Sequence, residues 1–270
     1  MQQNKIYDVI IIGASKHGLA LAEMLEDNGQ VALISNSFVH RSKKQLLAST
    51  DLIEGKAVLL TYIHGLLGVT LNNNTTIFGN RVVFSTGTQP LRLALKNSNI
   101  KYNLCGLLTK NKSAQAVVYG EDDLAVQYAI ELSKFYRYVY LCSKSLELAC
   151  TKRLAKQLNT TANIVHLPGC SIISCKNDTK GNLIEITLDT YSTINTSTVV
   201  ISIGRTPDLP PFANKYIKSD DKGYAITKEF YESTLVPKVY AIGDLLPKPT
   251  KKGLTTLAQK LKEEISNAGC

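Results

Sequence analysis

The chain has 270 residues, 44% of them apolar and 20% charged, enough for one large or two modest domains with real cores. No run approaches the roughly 18 uncharged apolar residues of a transmembrane helix, so a membrane partner is not expected. With 31 basic against 22 acidic residues the formal net charge is +9, which favours an acidic partner, whether nucleic acid, an anionic cofactor or an acidic protein, and composition alone does not choose among them.

Six cysteines are too few for a disulfide scaffold, and Met1–Lys5 run into a strand-like segment without a signal-peptide cleavage site. A reduced, cytoplasmic setting is therefore expected. Tryptophan is absent and aromatics make up 7%, so base-stacking platforms and nucleic-acid binding are not favoured.

Tyr7–Ile12 is an apolar run that reads as a buried parallel strand. It enters Gly13-Ala14-Ser15-Lys16-His17-Gly18, after which Leu19, Leu21, Ala22, Met24 and Leu25 form a helical stripe ending at Asn28-Gly29. Val31–Ile34 is the next strand. This is a βαβ unit with a glycine turn, the context of a dinucleotide fingerprint. Gly13 and Gly18 hold the first and third glycine positions and Ser15 the second. Lys16 and His17 stand beside helix N–H groups that attract anions. Ser35 and Asn36 occupy the place of the acidic ribose partner. A plain βα turn of some other α/β protein is the competing reading.

A second such unit begins 107 residues later, with the strand Ala116–Tyr119 and the turn Gly120-Glu121-Asp122-Asp123. Val126, Ala129, Ile130, Leu132 and Phe135 form the helical stripe, and Tyr138–Leu141 the following strand. Here Asp122 replaces the second glycine. Each carboxylate would repel a pyrophosphate charge by roughly 2–3 kcal/mol at about 6 Å in an effective dielectric of about 20. The same acids suit a helix first turn. The unit is expected to keep its fold and to have lost its nucleotide.

Three further segments carry a family resemblance. Arg81–Thr88, with Thr86-Gly87, resembles the strand and "ATG" turn of flavin disulfide reductases. Val199–Asp208 resembles their "GRTPN" segment, and Val239–Asp244 their "GD" motif, whose aspartate contacts the flavin ribityl chain. Five motifs in order, over nearly the whole chain, resemble the low-molecular-weight thioredoxin reductase-like flavoproteins. The resemblance implies an α/β fold of two Rossmann-like, three-layer ββα dinucleotide-binding-type domains, one inserted in the other. It places an FAD-binding domain at 1–95 plus 234–270 and a degenerate NADPH-type domain at 96–233.

FAD contacts are then implied at Gly13, Ser15, Lys16, His17, Gly18, Ser35, Thr86, Gly87, Gly243 and Asp244. Gln45 matches the "GQL" contact, and Lys252-Gly253 the "RQA" segment facing the isoalloxazine. The segment from Ser37 to about Thr70 is shorter than usual by roughly a helix and a loop, which touches the flavin cover and the dimer contact. The family's "HRRxxxR" cluster for the NADPH 2′-phosphate is matched by Ser143-Lys144-Ser145, with Ala149 at the last arginine, so NADPH binding is expected to be lost.

The family's CxxC falls on Tyr102-Asn103-Leu104-Cys105. The second cysteine is kept and the first is tyrosine, which makes Cys105 the candidate catalytic residue, with a helix start there expected to lower its pKa. The competing reading is a small buried hydrophobe. Cys142, Cys150, Cys170, Cys175 and Cys270 are open choices for its partner. His17, His40, His64 and His166 have no metal-ligand spacing, and no metal is expected.

The resemblance extends to ferredoxin-dependent flavin thioredoxin reductases. It implies an FAD enzyme passing electrons from an acidic donor such as ferredoxin to a disulfide and then to thioredoxin, as a homodimer. The alternatives are a flavin reductase of the ferredoxin–NADP reductase type without disulfide chemistry, and a non-catalytic flavin-binding regulator. The basic excess is densest in 234–270, with 6 basic and 3 acidic residues, including Lys248, Lys251 and Lys252.

Overall fold

Val9–Ile12 consists of four β-branched residues, all buried, as expected of a strand covered on both faces. In the computed structural model, which describes residues 5–38, 49–95, 100–109, 111–190 and 192–268, it lies at the centre of a five-stranded parallel sheet. The order is Val239–Ala241, Val82–Phe84, Val9–Ile12, Val31–Ser35, Thr50–Glu54, with Ile10 opposite both Ala32 and Val82.

The period-two alternation of each strand feeds two cores. Val9, Ile11, Leu33, Val83 and Tyr240 pack with Leu21 and Leu25 of helix Lys16–Leu25 and with Leu257 and Leu261 of helix Lys251–Ala268. Ile10, Ile12, Ile34, Val82 and Phe84 pack with Leu60, Leu67 and Val69 of an antiparallel sheet built on Ala57–Ile63, Leu66–Leu71 and Thr76–Gly79. Each fully buried Leu or Ile contributes about 1.5–3 kcal/mol to holding these layers together. The result is the three-layer ββα arrangement.

The chain divides into two compact units, Met1–Gln89 with Thr206–Cys270, and Pro90–Arg205. The second repeats the plan of the first. Its parallel sheet runs Ile164–Leu167, Tyr136–Cys142, Asn111–Gly120, Thr198–Ser202. Helices Asp123–Ser133 and Lys152–Asn159 cover one face through Val126, Ala129 and Leu154. The antiparallel strands Ile172–Asn177, Leu183–Leu188 and Thr193–Asn195 cover the other through Leu183, Ile186 and Leu188. The Rossmann-like α/β class read from the sequence is the observed one.

The inserted segment is shorter than the expected 96–233. Residues 206–233 belong to the first unit, where Ala213, Ile217 and Ala225 enter its core and Leu209, Phe212 and Tyr216 pack against it. Their elements, the 3₁₀ helix Pro211–Lys215 and the two-residue strands Lys218–Ser219 and Ala225–Ile226, are too short to show a period in sequence. Among the described residues no helix is long and apolar enough to cross a membrane.

Candidate functional site

The strand Val9–Ile12 turns into helix Lys16–Leu25 through Gly13, whose φ of 106° disfavours any side chain. A Cβ on Gly13 would lie 2.4 Å from the Ser85 carbonyl oxygen, and one on Gly18 would lie 2.3 Å from the Gly13 carbonyl oxygen. The two glycines thus bring the helix start against both central strands. Ser15 caps the helix, its Oγ accepting the Gly18 N–H at 3.2 Å and hydrogen-bonding Ser85 Oγ at 2.6 Å. The serine at the second glycine position is directed into the turn.

Above this turn is a cleft of about 500 Å³ at the carboxyl ends of the parallel strands, lined among others by Gly13, Ser15, Ser35, Lys56, Thr86 and Asp208. This is where an open parallel sheet places a ligand. Ser35 lines the cleft and donates its hydroxyl to the Ser37 carbonyl at 2.9 Å, which leaves its oxygen able to accept. Lys56 and Asp208 are the charged groups of this wall; Lys56 was not singled out in sequence, and Asp208 was read only as the end of the "GRTPN" segment. Lys56 directly precedes the hairpin strand Ala57–Ile63 with no motif around it, and Asp208 arrives from the segment that rejoins the first unit. Gly87 contributes its carbonyl, which accepts the Asp208 N–H at 2.9 Å.

The remaining predicted positions are dispersed around the helix ends. Lys16 is exposed at the first turn. His17 lies over Gly243, where a Cβ would come within 2.7 Å of His17 Nδ1. Asp244 and Lys252 are exposed and do not line the cleft. Gly253 sits under the Tyr231 hydroxyl, and its N–H donates to Thr250 Oγ1 at 3.0 Å. Gln45 lies outside the described residues.

In the second unit the three carboxylates are all engaged by backbone. Asp122 Oδ1 accepts the Ala125 N–H at 2.9 Å and caps helix Asp123–Ser133. Glu121 Oε2 accepts the Ser145 N–H at 3.0 Å, and Asp123 Oδ1 accepts the Thr151 N–H at 2.6 Å. The Ala149 N–H adds a bond to the Glu121 carbonyl at 2.7 Å. The loop after strand Tyr136–Cys142 is thereby fastened down on the glycine turn. The Ser145 hydroxyl and then its N–H hold the Glu121 carboxyl below the ordinary range of a glutamate.

Residues 7–261 match the family model described as pyridine nucleotide-disulphide oxidoreductase. The chain belongs to this family. It is 25% identical to a thioredoxin reductase of Buchnera aphidicola over 208 residues, 70% of this chain and 64% of that protein. It is 26% identical to one of Chlamydia trachomatis over 142 residues, 52% and 45% of the two chains. These alignments span less than two thirds of either relative. The fold is that of thioredoxin reductase from T. acidophilum, with a TM-score of 0.80, 17% identity and coverage of 96% and 98%. The enzyme from Lactococcus lactis gives 0.79 at 14% identity, covering 97% and 98%.

Membership in the pyridine nucleotide-disulphide oxidoreductases implies FAD, and the first unit fits it. Thr86 Oγ1 is buried without a hydrogen-bond partner on the wall of the cleft, an open position that a bound polar group can fill. The Gly13–Gly18 turn offers the helix N-terminus that an anionic pyrophosphate takes.

The five described cysteines are free thiols. Cys105 is exposed, and its N–H donates to Asn103 Oδ1 at 3.0 Å. It sits in a turn closed by the Leu107 N–H on the Leu104 carbonyl, so the expected helix start is absent and no helix dipole acts on this thiol. Neither is it the buried hydrophobe of the competing reading. Tyr102, at the place of the first family cysteine, lies 5.4 Å beneath the Arg92 guanidinium. Among the described residues no cluster of three His, Cys, Asp or Glu side chains could hold a metal ion.

Proposed function

We propose that this chain is an FAD-dependent thiol–disulfide oxidoreductase of thioredoxin reductase type that takes electrons from an acidic, ferredoxin-like protein instead of NADPH. The first unit holds FAD at the Gly13–Gly18 turn, Thr86-Gly87 and the Gly243-Asp244 end. The second is the degenerate NADPH-type unit. Bound FAD supplies the exchange of electrons singly or in pairs. Cys105 is the thiol through which they reach a disulfide and then thioredoxin. The enzyme works as a cytoplasmic homodimer.

The observation that carries the donor assignment is the charge of the second glycine turn, where Glu121 and Asp122 line a cleft of about 450 Å³. The Ser145 and Thr151 amides, which lie in the loop that would have to receive a phosphorylated ribose, are already taken by Glu121 and Asp123. A dinucleotide phosphate entering there would face three carboxylates and displace two charge-assisted bonds. In contrast, Lys248, Lys251 and Lys252 are exposed beyond the Gly243-Asp244 motif and lack ion-pair partners among the described residues, a surface suited to an acidic protein. Anaerobic titration of the purified, FAD-loaded protein tests this. Reduced ferredoxin is expected to bleach the flavin absorbance and NADPH to leave it unchanged. Bleaching by NADPH alone sinks the donor assignment.

Tyr102 favours a second reading, a flavin reductase without disulfide chemistry. In that case Cys105→Ser leaves every electron transfer unchanged.

A further inference from the structure

The sequence leaves open whether Cys170 belongs with Cys175, five residues on, but the fold gives it another neighbour. Strands Tyr136–Cys142 and Ile164–Leu167 pair in parallel with Cys142 opposite Leu167. The chain then turns so that the Cys170 N–H donates to the Ser143 carbonyl at 2.9 Å, bringing Cys170 back beside the end of the first strand. There the Cys142 and Cys170 side chains enter the same buried cluster, both against Leu167. The Cys170 thiol in turn donates to the Leu167 carbonyl at 3.1 Å. Both side chains are buried, Cys142 completely and Cys170 to 3% exposure.

We propose that Cys142 and Cys170 are an oxidisable pair, a modification site of the second unit that peroxide-class oxidants convert to a disulfide. The two thiols are unequal. Burial raises both thiols, and the neighbouring sulfur adds to that rise at Cys142 but offsets it at Cys170, so a charge on Cys170 is the better supported one. Cys170 is therefore the attacking thiol. Its sulfur displaces water from hydrogen peroxide and becomes a sulfenic acid. The Cys142 sulfur then attacks it, the S–S bond forms, and a second water leaves. Two S–H bonds are lost, the pair of electrons passes to the peroxide, and both thiol protons end in water.

Burial decides what such a bond is for. Bulky disulfide substrates cannot reach either sulfur, and desolvation keeps both thiols protonated, so the bond forms slowly and is not part of rapid thiol exchange. It staples the end of strand Tyr136–Cys142, from which the Ser143–Thr151 loop departs, to the turn that follows Ile164–Leu167. This pair is separate from Cys105 and stands whatever the electron donor is.

The test is peptide mapping of the full-length protein treated with hydrogen peroxide, denatured and alkylated. The expected result is a cross-linked peptide pair carrying Cys142 and Cys170, two hydrogens lighter than the sum, both cysteines vanishing together from the alkylated set. In Cys142→Ser the cross-link is lost and Cys170 is recovered as a sulfenic or higher acid. The wild-type protein alone suffices to overturn the proposal. Full alkylation of both cysteines after treatment that oxidises Cys105 does so, and so does a bond from Cys170 to Cys175 or Cys150.

Discussion

The Ser15 and Ser85 hydroxyls meet at 2.6 Å, joining the helix N-cap of the first glycine turn to the end of the neighbouring parallel strand. Because the same Ser15 oxygen accepts the Gly18 N–H, the residue that departs from the glycine fingerprint is part of what holds the turn. Ser15→Ala is expected to cost about 1 kcal/mol, and Ser15→Gly less, since glycine is a tolerated N-cap. Urea unfolding of the two variants checks the order. A more damaging Ser15→Gly would show that the cap bond is not what matters.

Glu121 ties the second unit to pH. Its folded carboxyl is held below the usual 4.5, chiefly by the Ser145 hydroxyl and N–H, so its stabilisation is present above the unfolded value and is lost as pH falls through the folded one. Glu121→Gln is therefore expected to lower the urea midpoint at pH 7, with the gap to the wild type closing as the pH falls below the ordinary carboxylate range. A gap that stays constant with pH would refute the assignment.

Arg81 is 7% exposed and its Nε donates to Glu264 of the C-terminal helix at 2.8 Å, while Lys260 sits 3.6 Å from the other Glu264 oxygen. Glu264→Ala leaves the Arg81 cation buried without its carboxylate. Breaking a fully buried pair costs about 3–5 kcal/mol, and the partly exposed Glu264 places this one at the lower end. Arg81→Met combined with Glu264→Leu is expected to recover most of the loss, measured by denaturant midpoint. If the double variant is no better than the single, the cost lies in packing.

Cys105→Ser is expected to abolish thioredoxin reduction while the flavin still accepts electrons from the donor. Reversing charge at Lys248, Lys251 and Lys252 is expected to slow that first step and to flatten its dependence on ionic strength, because steering by opposite charge is screened by salt. Stopped-flow flavin reduction at several salt concentrations measures both.

Much of the fold is legible locally. The β-branched run Val9–Ile12, the glycine turn after it and the stripe from Leu19 to Leu25 state strand, turn and helix in one pass, and Ala116–Leu141 states them again. Such signals are short-range, since the period of burial and the steric needs of a turn are written in neighbouring residues. The domain boundary was less legible because residues 206–233 join the first unit through isolated apolar side chains in very short elements.

The site divides along the same line. Sequence alone determined the two βαβ units, the excess of acid on the second turn and the surplus of lysine near the chain end. Tertiary structure decided what each acid does, since Ser145 and Thr151 reach Glu121 and Asp123 across more than twenty residues of chain. It also brought Lys56 and Asp208 to one cleft and Cys142 against Cys170, and it set Cys105 in an exposed turn. Composition and spacing fix which groups a chain owns and how each segment coils. Which of them meet depends on parallel strand pairing, whose partners are set by burial on both faces of the sheet and lie far apart in sequence.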